Sequence, residues 1–423
     1  MRNNNVLGLL FSNMHDEALR ELTGIRALGS VPFGGRYRLI DFPLSNMVNA
    51  GISKVGVITK SNYQSLMDHI GSGKSWDLSR KNEGLYFLPP FGNTDELYNG
   101  RVASLSGIMP FLRNSKEEYV VLSDCHVVGN IDYDRLVEEH IASGADVTIA
   151  YKKGAPPADM ENVLLWTASD GRVTDMVIRS GGPEESRYGI GLYVMGKEEL
   201  MRAVDTAVSR HHGSFEWDIL LRHVEDKRLY GYCVNEYVSV ISSLERYFRT
   251  NMALLDPDVR SELFIGSRPI YTKVRDCAPA IYGLHAEVSH SLVADGGDIQ
   301  GTVRHSIVFR DVKVDRGAVV ENCILMQGFS AGLGTASSRT KTSESRTTAP
   351  CAASTAIRCS SAKERWFDSH PERMKRRKSD ESVVRDQRSQ ALCRLGWAGG
   401  CRGFSSQGPA GPSGGLPCGL AAL

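Results

Sequence analysis

The stretch VPFGGRYRLIDFPLSN, residues 31–46, holds a glycine pair, a short strand-like run and a proline ahead of a helical pattern. Gly34 and Gly35 predict a tight turn, because glycine adopts the backbone angles that such turns require. Residues 36–41 then predict a strand, and residues 43–46 predict the start of a helix. The stretch is therefore interpreted first as scaffold, in which a turn leads into a strand and a helix.

Short apolar runs alternate with helical patterns from residue 1 to about residue 250. The clearest runs are KVGVIT (54–59), EYVVLS (118–123), ADVTIAY (145–151) and YGIGLYVM (188–195). Runs that are apolar throughout and separated by helices are typical of buried strands in a mainly parallel α/β sheet. Because ligands of such sheets bind beyond the carboxyl ends of the strands, we expect the chemistry in the loops after these runs.

A different pattern covers residues 285–328, which show no helical period but contain an internal echo. Its copies VSHSLV, VRHSIV and VENCIL begin at residues 288, 303 and 320, so they start 15 and then 17 residues apart. This spacing is close to one coil of a short-repeat parallel β-helix, in which apolar residues stack from coil to coil. Antiparallel strands of similar composition would give the same echo, and the repeat alone leaves both arrangements open.

The composition changes abruptly after Gly328. Residues 329–423 contain one Ile, two Val and no Tyr, but five of the nine cysteines. So few large apolar residues do not offset the entropy of ordering a fold, and we expect this segment to be disordered. It is either a natural disordered tail or the product of a reading-frame shift, and the loss of Ile, Val and Tyr in mid-repeat favours the shift.

The overall composition narrows the class of protein. Lys plus Arg number 50 and Asp plus Glu 49 in 423 residues, so the net charge of +1 provides no field that would attract nucleic acid or an anionic membrane. No apolar run approaches the roughly 20 residues of a membrane helix. The cysteines lack paired CxxC spacing, which argues against a disulfide framework and against a cysteine zinc site. We therefore expect a cytoplasmic protein without nucleic-acid or membrane partners.

Several blocks together resemble the glucose-1-phosphate adenylyltransferase (ADP-glucose pyrophosphorylase) family over about residues 5–328. The blocks are residues 31–46, HIGSGKSWDL (69–78), NIDYDRLVEEHIASGADVTIA (130–150) and the repeat. The resemblance implies a Rossmann-like nucleotidyltransferase α/β domain, with a mainly parallel sheet and helices, followed by a truncated left-handed parallel β-helix and a disordered tail. The corresponding boundaries are 1–250 for the α/β domain, 251–284 for a linker, 285–328 for the β-helix and 329–423 for the tail.

The family joins ATP and glucose 1-phosphate into ADP-glucose in glycogen synthesis. Such a displacement concentrates negative charge, so it needs backbone N–H groups and a lysine around the phosphates and Mg²⁺ held by carboxylates. The resemblance therefore implies which positions of this chain should carry those groups, and each can be compared with the family's motif. Gly34, Gly35 and Arg36, in the best-matched block, are candidates for substrate contact.

The nucleotide side departs from the family's motifs. Catalytic members carry a glycine-rich loop of the form GGxGxRLxxLT, whereas this chain reads FSNMHDEALRELT over residues 11–23. Asp16 and Glu17 therefore fall where bare backbone would approach a polyphosphate, and two carboxylates are expected to face it instead. Leu28 stands where the family has a phosphate-facing lysine, so a positive charge is lost there.

The metal positions are altered as well. The family's SGDH appears here as SDCH, one residue longer before NIDY, so either Asp124 or Cys125 occupies the position of the first metal carboxylate. The second metal carboxylate aligns with Val240 in YVSVISSLERYFRTN. Valine has no donor atom for Mg²⁺, so Asp16, Leu28 and Val240 mark a pocket that is interpreted as vestigial.

The sugar-phosphate side is retained in part. In VIRSGG, Arg179 falls where a family lysine contacts the sugar phosphate, and Ile178 falls where an acid contacts sugar hydroxyls. The fork of an arginine suits phosphate oxygens, so Arg179 is a substrate-binding candidate, with a solvated surface arginine as the alternative. In SFEWDILL, Asp218 is kept and Glu216 replaces a glycine. Asp218 is a further substrate candidate, although a helix-capping role fits its position better.

Three functional hypotheses follow. The favoured one is a non-catalytic or weakly catalytic regulatory subunit of the GlgD type, which pairs with the catalytic subunit in a hetero-tetramer. Mg²⁺ would then serve the active partner and would not be required by this chain, and a sugar phosphate or phosphorylated effector could bind. The alternatives are an active adenylyltransferase with a divergent nucleotide loop and a stand-alone effector-binding protein.

Overall fold

Strand β1 (Val6–Phe11) is buried at every residue and lies at the centre of the main sheet. The structure, a computed structural model, describes residues 5–80, 83–89, 100–332 and 356–358. Further strands of the α/β part are Pro32–Phe33 (β2), Tyr37–Arg38 (β3), Lys54–Ile58 (β4), Gly84–Leu88 (β5), Tyr119–Asp124 (β6), Val127–Gly129 (β7), Val147–Lys153 (β8), Glu161–Thr167 (β9), Val173–Ser180 (β10), Arg187–Gly196 (β11), Leu229–Cys233 (β12) and Val238–Val240 (β13).

Helices lie on both faces of this sheet. They are Arg20–Thr23 (α1), Asp41–Asn49 (α2), Gln64–Ile70 (α3), Arg101–Gly107 (α4), Met109–Arg113 (α5), Tyr133–Ser143 (α6), Lys197–Ser209 (α7), Leu244–Ala253 (α8) and Pro257–Leu263 (α9), with a π-helix at Phe215–Leu220 and 3-10 turns at Asp16–Leu19, Leu28–Ser30, Lys74–Trp76 and Leu221–His223. One apolar core contains Met47 of α2 and Leu136 of α6. The other contains Leu105 of α4 and Leu200 of α7, so apolar side chains fill both faces of the sheet.

The order of the strands is β10, β9, β11, β6, β1, β4 and β5, with β8 paired to β11 and β12 paired to β8. Strands β6, β1, β4 and β5 are parallel to one another, and β11 is antiparallel to β6. Each of the four apolar runs singled out in the sequence forms a strand, and the α/β fold class is confirmed. Phe11, Ile58 and Asp124 lie level with one another across the sheet, so three loops leave it at the same edge.

The stretch 31–46 forms a hairpin followed by α2. Gly34 and Gly35 have φ angles of 58° and 84°, as the predicted turn requires. The strand is shorter than predicted, since only Tyr37–Arg38 pairs with Pro32–Phe33. Helix α2 begins at Asp41, whose carboxylate accepts the N–H of Arg38 at 2.9 Å.

The repeat forms three coils of a parallel β-helix. Its strands are Ile281–Tyr282 (β14), Glu287–Ser289 (β15), Leu292–Val293 (β16), Asp298–Ile299 (β17), Thr302–Arg304 (β18), Ile307–Val308 (β19), Lys313–Val314 (β20), Val319–Glu321 (β21), Cys323–Leu325 (β22) and Ser330–Ala331 (β23). Val288 pairs in register with Val303, and Val303 with Val320, both in parallel. The antiparallel alternative is therefore wrong, and the echo marks equivalent positions of successive coils.

The first coil begins at Ile281, within the segment predicted as a linker, and the last residues of α8 and the whole of α9 occupy the earlier part of that segment. In the predicted tail, β23 begins a fourth coil, and Ala356–Arg358 (β24) pairs antiparallel with β22. The rest of the segment predicted to be disordered lies outside the described residues. Among the helices of the described residues, none combines the length and the apolar character that crossing a membrane would need.

Candidate functional site

A pocket of about 150 Å³ opens at the edge of the sheet where β6 ends. Its walls come from the loop after β1, from β6, β9, β10 and β11, and from the π-helix. Its lining residues are Met14, His15, Arg101, Asp124, His126, Met160, Glu161, Asn162, Val163, Ile178, Gly189, Gly191, Tyr193, Ser214, Glu216 and Trp217. This is the edge at which parallel α/β sheets bind ligands.

Asp124 and Arg101 form a buried ion pair in this pocket. Nη1 of Arg101 donates to Oδ1 of Asp124 at 2.9 Å and Nη2 donates to Oδ2 at 2.8 Å. The side chain of Asp124 is only 2% exposed and that of Arg101 only 3%. Burial by itself would raise the pKa of Asp124, but the charge of Arg101 and hydrogen bonds from His15 and Arg101 outweigh it and hold that pKa well below its usual range.

Glu216 holds the other side of the guanidinium. Nε of Arg101 lies 3.2 Å from Oε1 of Glu216, and the hydroxyl of Tyr193 donates to the same oxygen at 3.4 Å. The guanidinium also lies over aromatic rings, 4.6 Å from the ring centre of Phe11 and 5.7 Å from that of Phe215. Burial disfavours the charged guanidinium, yet the two carboxylates more than compensate and raise the pKa of Arg101. Arg101 is therefore a fixed positive charge inside the pocket.

Two imidazoles complete the polar cluster. Nε2 of His15 lies 3.5 Å from Oδ2 of Asp124, and Nδ1 of His126 lies 3.8 Å from the same oxygen. The two rings are tilted by 53° to one another, with their centres 4.1 Å apart. Burial, reinforced by the charge of His15, lowers the pKa of His126 to about 3. Nδ1 of His126 is buried and makes no hydrogen bond, so its ring faces the pocket with an unused polar atom.

Hydrogen bonds made by its own side chains hold the loop after β1 in place. Oδ1 of Asp16 accepts the backbone N–H of Leu28 at 2.9 Å, and Oδ2 accepts from the side-chain amide of Asn13 at 2.6 Å. The hydroxyl of Thr23 donates to the carbonyl oxygen of Asp16 at 2.6 Å. Burial raises the pKa of Asp16, although the bonds from Asn13 and Leu28 oppose that shift. Both carboxylates were expected to face a polyphosphate. Asp16 instead turns inward to these partners, and the Glu17 side chain is 88% exposed to solvent.

The structure distinguishes Asp124 from Cys125. Asp124 lines the pocket, whereas Cys125 is buried in the core, where its Sγ would lie 3.3 Å from a β-carbon built on Gly29. Val240 is buried and pairs with Val127, three residues after Asp124, so the aligned second metal position is an apolar core residue. Leu28 is buried in the core below the hairpin.

The candidates for substrate contact lie outside this pocket. Gly35 approaches Ala294 and Val308 of the β-helix, and the N–H of Gly34 is bound by Asn251, so the hairpin carrying Gly34, Gly35 and Arg36 faces the β-helix. On β10, Ile178 lines the pocket, whereas Arg179 is exposed. Oδ2 of Asp218 accepts the N–H of Ser214 at 3.0 Å at the start of the π-helix, which is a capping contact.

Sequence reasoning missed the residues that dominate the pocket. Arg101 begins α4, and the residues next to it in the sequence do not distinguish it from an arginine on the surface. His15 lies in residues 11–23 and His126 in SDCH, the two stretches that were compared with family motifs. That comparison considered only the missing glycines and the metal carboxylate, so it assigned no role to either histidine. Only the fold brings these three residues to one carboxylate.

The donor atoms present do not fit Mg²⁺. Mg²⁺ requires near-octahedral oxygen ligands and is bound in proteins through carboxylates. Here both oxygens of Asp124 accept from Arg101, the second family position is the apolar Val240, and the remaining neighbours of Asp124 are imidazole nitrogens. The donor atoms around Asp124 therefore do not form a Mg²⁺ site.

Comparison with known proteins agrees with this architecture. The family model described as nucleotidyl transferase matches residues 17–253, and the model described as GlmU-like, C-terminal hexapeptide matches residues 280–340. The chain is similar to the glycogen biosynthesis protein GlgD of Geobacillus stearothermophilus, with 38% identity over 75% of this chain and 83% of the relative. Its similarity to GlgD of Bacillus subtilis is 34% over the same shares. Glucose-1-phosphate adenylyltransferase of Thermotoga neapolitana is 31% identical over 75% of this chain and 76% of its own length. The chain thus belongs to the nucleotidyltransferase family that contains GlgD and glucose-1-phosphate adenylyltransferase.

Proposed function

We propose that this chain is a non-catalytic regulatory subunit of glucose-1-phosphate adenylyltransferase, acting in glycogen synthesis. It would modulate the formation of ADP-glucose from ATP and glucose 1-phosphate by a catalytic subunit, with which it would form a hetero-tetramer in the cytoplasm. The observation that carries the proposal is the ion pair of Arg101 with Asp124. Both oxygens of this carboxylate accept from the guanidinium, and its other close neighbours are imidazole nitrogens, which are not the oxygen ligands that a catalytic Mg²⁺ requires.

The loop after β1 supports the same conclusion. Asp16 supplies an internal carboxylate to the backbone N–H of Leu28, so this donor is used within the protein. A second anion brought to the same loop would be repelled by that carboxylate at close range. With an occupied donor and added negative charge, the loop disfavours a nucleotide polyphosphate, and Mg²⁺ would be needed by the catalytic partner and not by this chain.

A subunit without turnover can still regulate an enzyme. It can bind one conformation of the catalytic subunit more tightly than another. The free-energy difference between the two conformations then changes by the difference between the two binding free energies. A sugar phosphate or another phosphorylated effector bound to this chain would act through the same contacts. The proposal therefore requires physical association and a change in the partner's kinetics, but no chemistry in the pocket of this chain.

The test is ADP-glucose formation from ATP, glucose 1-phosphate and Mg²⁺, measured for this chain alone, for the catalytic subunit alone and for both co-expressed. The proposal expects no product from this chain alone and a changed rate or substrate dependence for the pair. Mg²⁺-dependent product from this chain alone, lost in Asp124→Asn, would instead identify an active enzyme with a divergent loop. Ligand binding without association with the catalytic subunit would favour a stand-alone effector-binding protein.

A further inference from the structure

The polar cluster of the pocket has the composition of a transition-metal site. Nε2 of His15, Nδ1 of His126 and a carboxylate oxygen of Asp124 all lie within 4.8 Å of one another. We propose that His15, Asp124 and His126 bind a divalent transition cation of the Zn²⁺ type. This site is separate from the proposed regulatory function, since it requires neither a catalytic partner nor a nucleotide.

The spacing of the donor atoms suits such an ion. With metal–ligand bonds of about 2.0–2.2 Å, neighbouring ligands of a tetrahedral ion are about 3.3–3.6 Å apart. The observed distances from Oδ2 of Asp124 are 3.5 Å to Nε2 of His15 and 3.8 Å to Nδ1 of His126. The two imidazole nitrogens lie within 4.8 Å of each other, so side-chain adjustments that bring them closer to the tetrahedral spacing would place one cation in contact with all three residues.

Two further features favour a bound cation, namely a free ligand atom on His126 and open space beside Gly191. Nδ1 of His126 is buried without a hydrogen-bond partner, although buried polar atoms are nearly always satisfied. Gly191, at a φ of 73°, faces the cluster, and a β-carbon built there would lie 2.6 Å from Oδ2 of Asp124 and 3.2 Å from Cε1 of His126. The absence of a side chain at Gly191 therefore keeps the space beside this oxygen open.

The ion pair with Arg101 is compatible with this ligand set. Each carboxylate oxygen has two lone pairs, so Oδ2 of Asp124 can accept from Arg101 on one side and bind a cation on the other. Asp124 and Glu216 carry two negative charges against one on Arg101, which leaves the cluster net negative when both imidazoles are neutral. Imidazole ligands favour Zn²⁺ and related ions over Mg²⁺, and this selects the class of metal.

The experiment uses the full chain, freed of metal with a chelator and titrated with Co²⁺, whose visible absorption reports its coordination, and with Zn²⁺. We expect one ion per chain, a Co²⁺ spectrum of low coordination number, and a rise in Tm with Zn²⁺ but not with Mg²⁺. His15→Ala should weaken binding at least about tenfold, because even outer-shell partners of a metal contribute about 10–100-fold to affinity. His285→Ala, which removes an exposed imidazole outside the pocket, is the matched control and should bind as the wild type does.

The His15 side chain is 29% exposed, so His15→Ala is expected to fold, and far-ultraviolet circular dichroism checks this. His126→Asn provides a second variant that removes the other imidazole. The proposal is overturned if the wild type binds no Co²⁺ at micromolar concentration, if its bound Co²⁺ keeps the spectrum of the hexahydrated ion, or if folded His15→Ala binds as tightly as the wild type. Equal loss in His285→Ala would also overturn it, because the bound ion would then depend on surface imidazoles.

Discussion

Arg101 and Asp124 meet side by side in the interior, joined by two hydrogen bonds of 2.9 Å and 2.8 Å. Arg101 begins α4 and Asp124 ends β6, so the pair ties a helix on one face of the sheet to the edge where three strands end. Glu216 then connects the same guanidinium to the π-helix. The pocket is therefore held together by charge as well as by apolar packing, and its stability should depend on that pairing.

Replacing Arg101 with methionine should destabilise the protein strongly. The apolar side chain would still contact the rings of Phe11 and Phe215, but Asp124 would become a buried carboxylate without its partner. Breaking one side of a buried ion pair costs about 3–5 kcal/mol. Urea unfolding of Arg101→Met measures this loss in the free energy of unfolding.

Arg135→Met is the control for Arg101→Met, because the Arg135 side chain is 69% exposed and pairs with Glu139 on the surface. An exposed pair contributes at most about 1 kcal/mol, so this variant should change stability little. The double variant Arg101→Met with Asp124→Leu should recover most of the loss, since it removes the unpaired carboxylate. Equal stabilities of Arg101→Met and Arg135→Met would contradict the interpretation of the buried pair.

The fold could be predicted largely because its signals are local. Strands such as Lys54–Ile58 are apolar throughout, and the repeat keeps its valines at equivalent positions of successive coils. Helix α2 was predicted from its proline, but its start was placed at residue 43, two residues after the observed start at Asp41. The observed start depends on Asp41, whose carboxylate accepts the N–H of Arg38 and also lies 2.6 Å from the imidazole of His69, which is far along the chain.

The chemistry of the site was predictable only in part. The sequence indicated that Asp16 and Val240 occupy altered positions, because the comparison with a motif is made residue by residue. It did not indicate that Asp16 would bind the N–H of Leu28 while Glu17 stays exposed, since both have the same charge and stand next to each other. The role of Arg101 depends on a contact with Asp124 across 23 positions of sequence, which no local pattern reports.

The β-helix should be sensitive to its buried valines. Val303 is completely buried between Val288 and Val320 of the adjacent coils, and Val303→Ala would remove two methyl carbons from that stack. Their transfer free energy plus the cavity left behind predicts a loss on the order of 2 kcal/mol. Thermal or urea unfolding followed by circular dichroism measures the difference from the wild type.

Val288→Ala is the matched control in the same stack. Val288 lies in the first coil and is 37% exposed, so its truncation removes less buried surface and leaves a smaller cavity. We expect it to cost less than half as much as Val303→Ala. Equal losses in the two variants would mean that the coils do not stack on this column of valines.

Asn251 should be essential for the hairpin of residues 31–46. Its Oδ1 accepts the N–H of Gly34 at 2.9 Å, and its Nδ2 donates to the carbonyl oxygen of Tyr247 at 2.9 Å. Asn251 is fully buried, so Asn251→Ala would leave the N–H of Gly34 without this partner, at a cost of about 1–3 kcal/mol. Gln64→Ala, which removes an exposed amide that bonds Asp68, should cost much less. A loss in Asn251→Ala no larger than in Gln64→Ala, measured by urea unfolding, would contradict this role.

His140 should make the protein sensitive to acid. The imidazole is 2% exposed and its Nδ1 lies 2.8 Å from the hydroxyl of Thr148. Burial, only partly opposed by the charge of Asp146, lowers its pKa from 6.5 to about 4. The unfolded chain therefore binds this proton at a higher pH than the folded chain, and stability falls as the pH drops from about 6.5 to about 4. His140→Gln, which keeps a polar partner for Thr148, should remove a loss on the order of 3 kcal/mol between pH 7 and pH 4.

Thr148→Val is the control that separates burial from hydrogen bonding at His140. It removes the hydroxyl but keeps the imidazole buried, so the protein should lose stability at every pH while retaining the steep decline below pH 6.5. The measurement is the free energy of unfolding in urea at half-unit steps from pH 7 to pH 4 for the wild type and both variants. Parallel curves for the wild type and His140→Gln would show that another group causes the acid sensitivity. A shallow curve for Thr148→Val would instead assign it to the hydrogen bond, because burial alone would then be insufficient to keep the imidazole neutral.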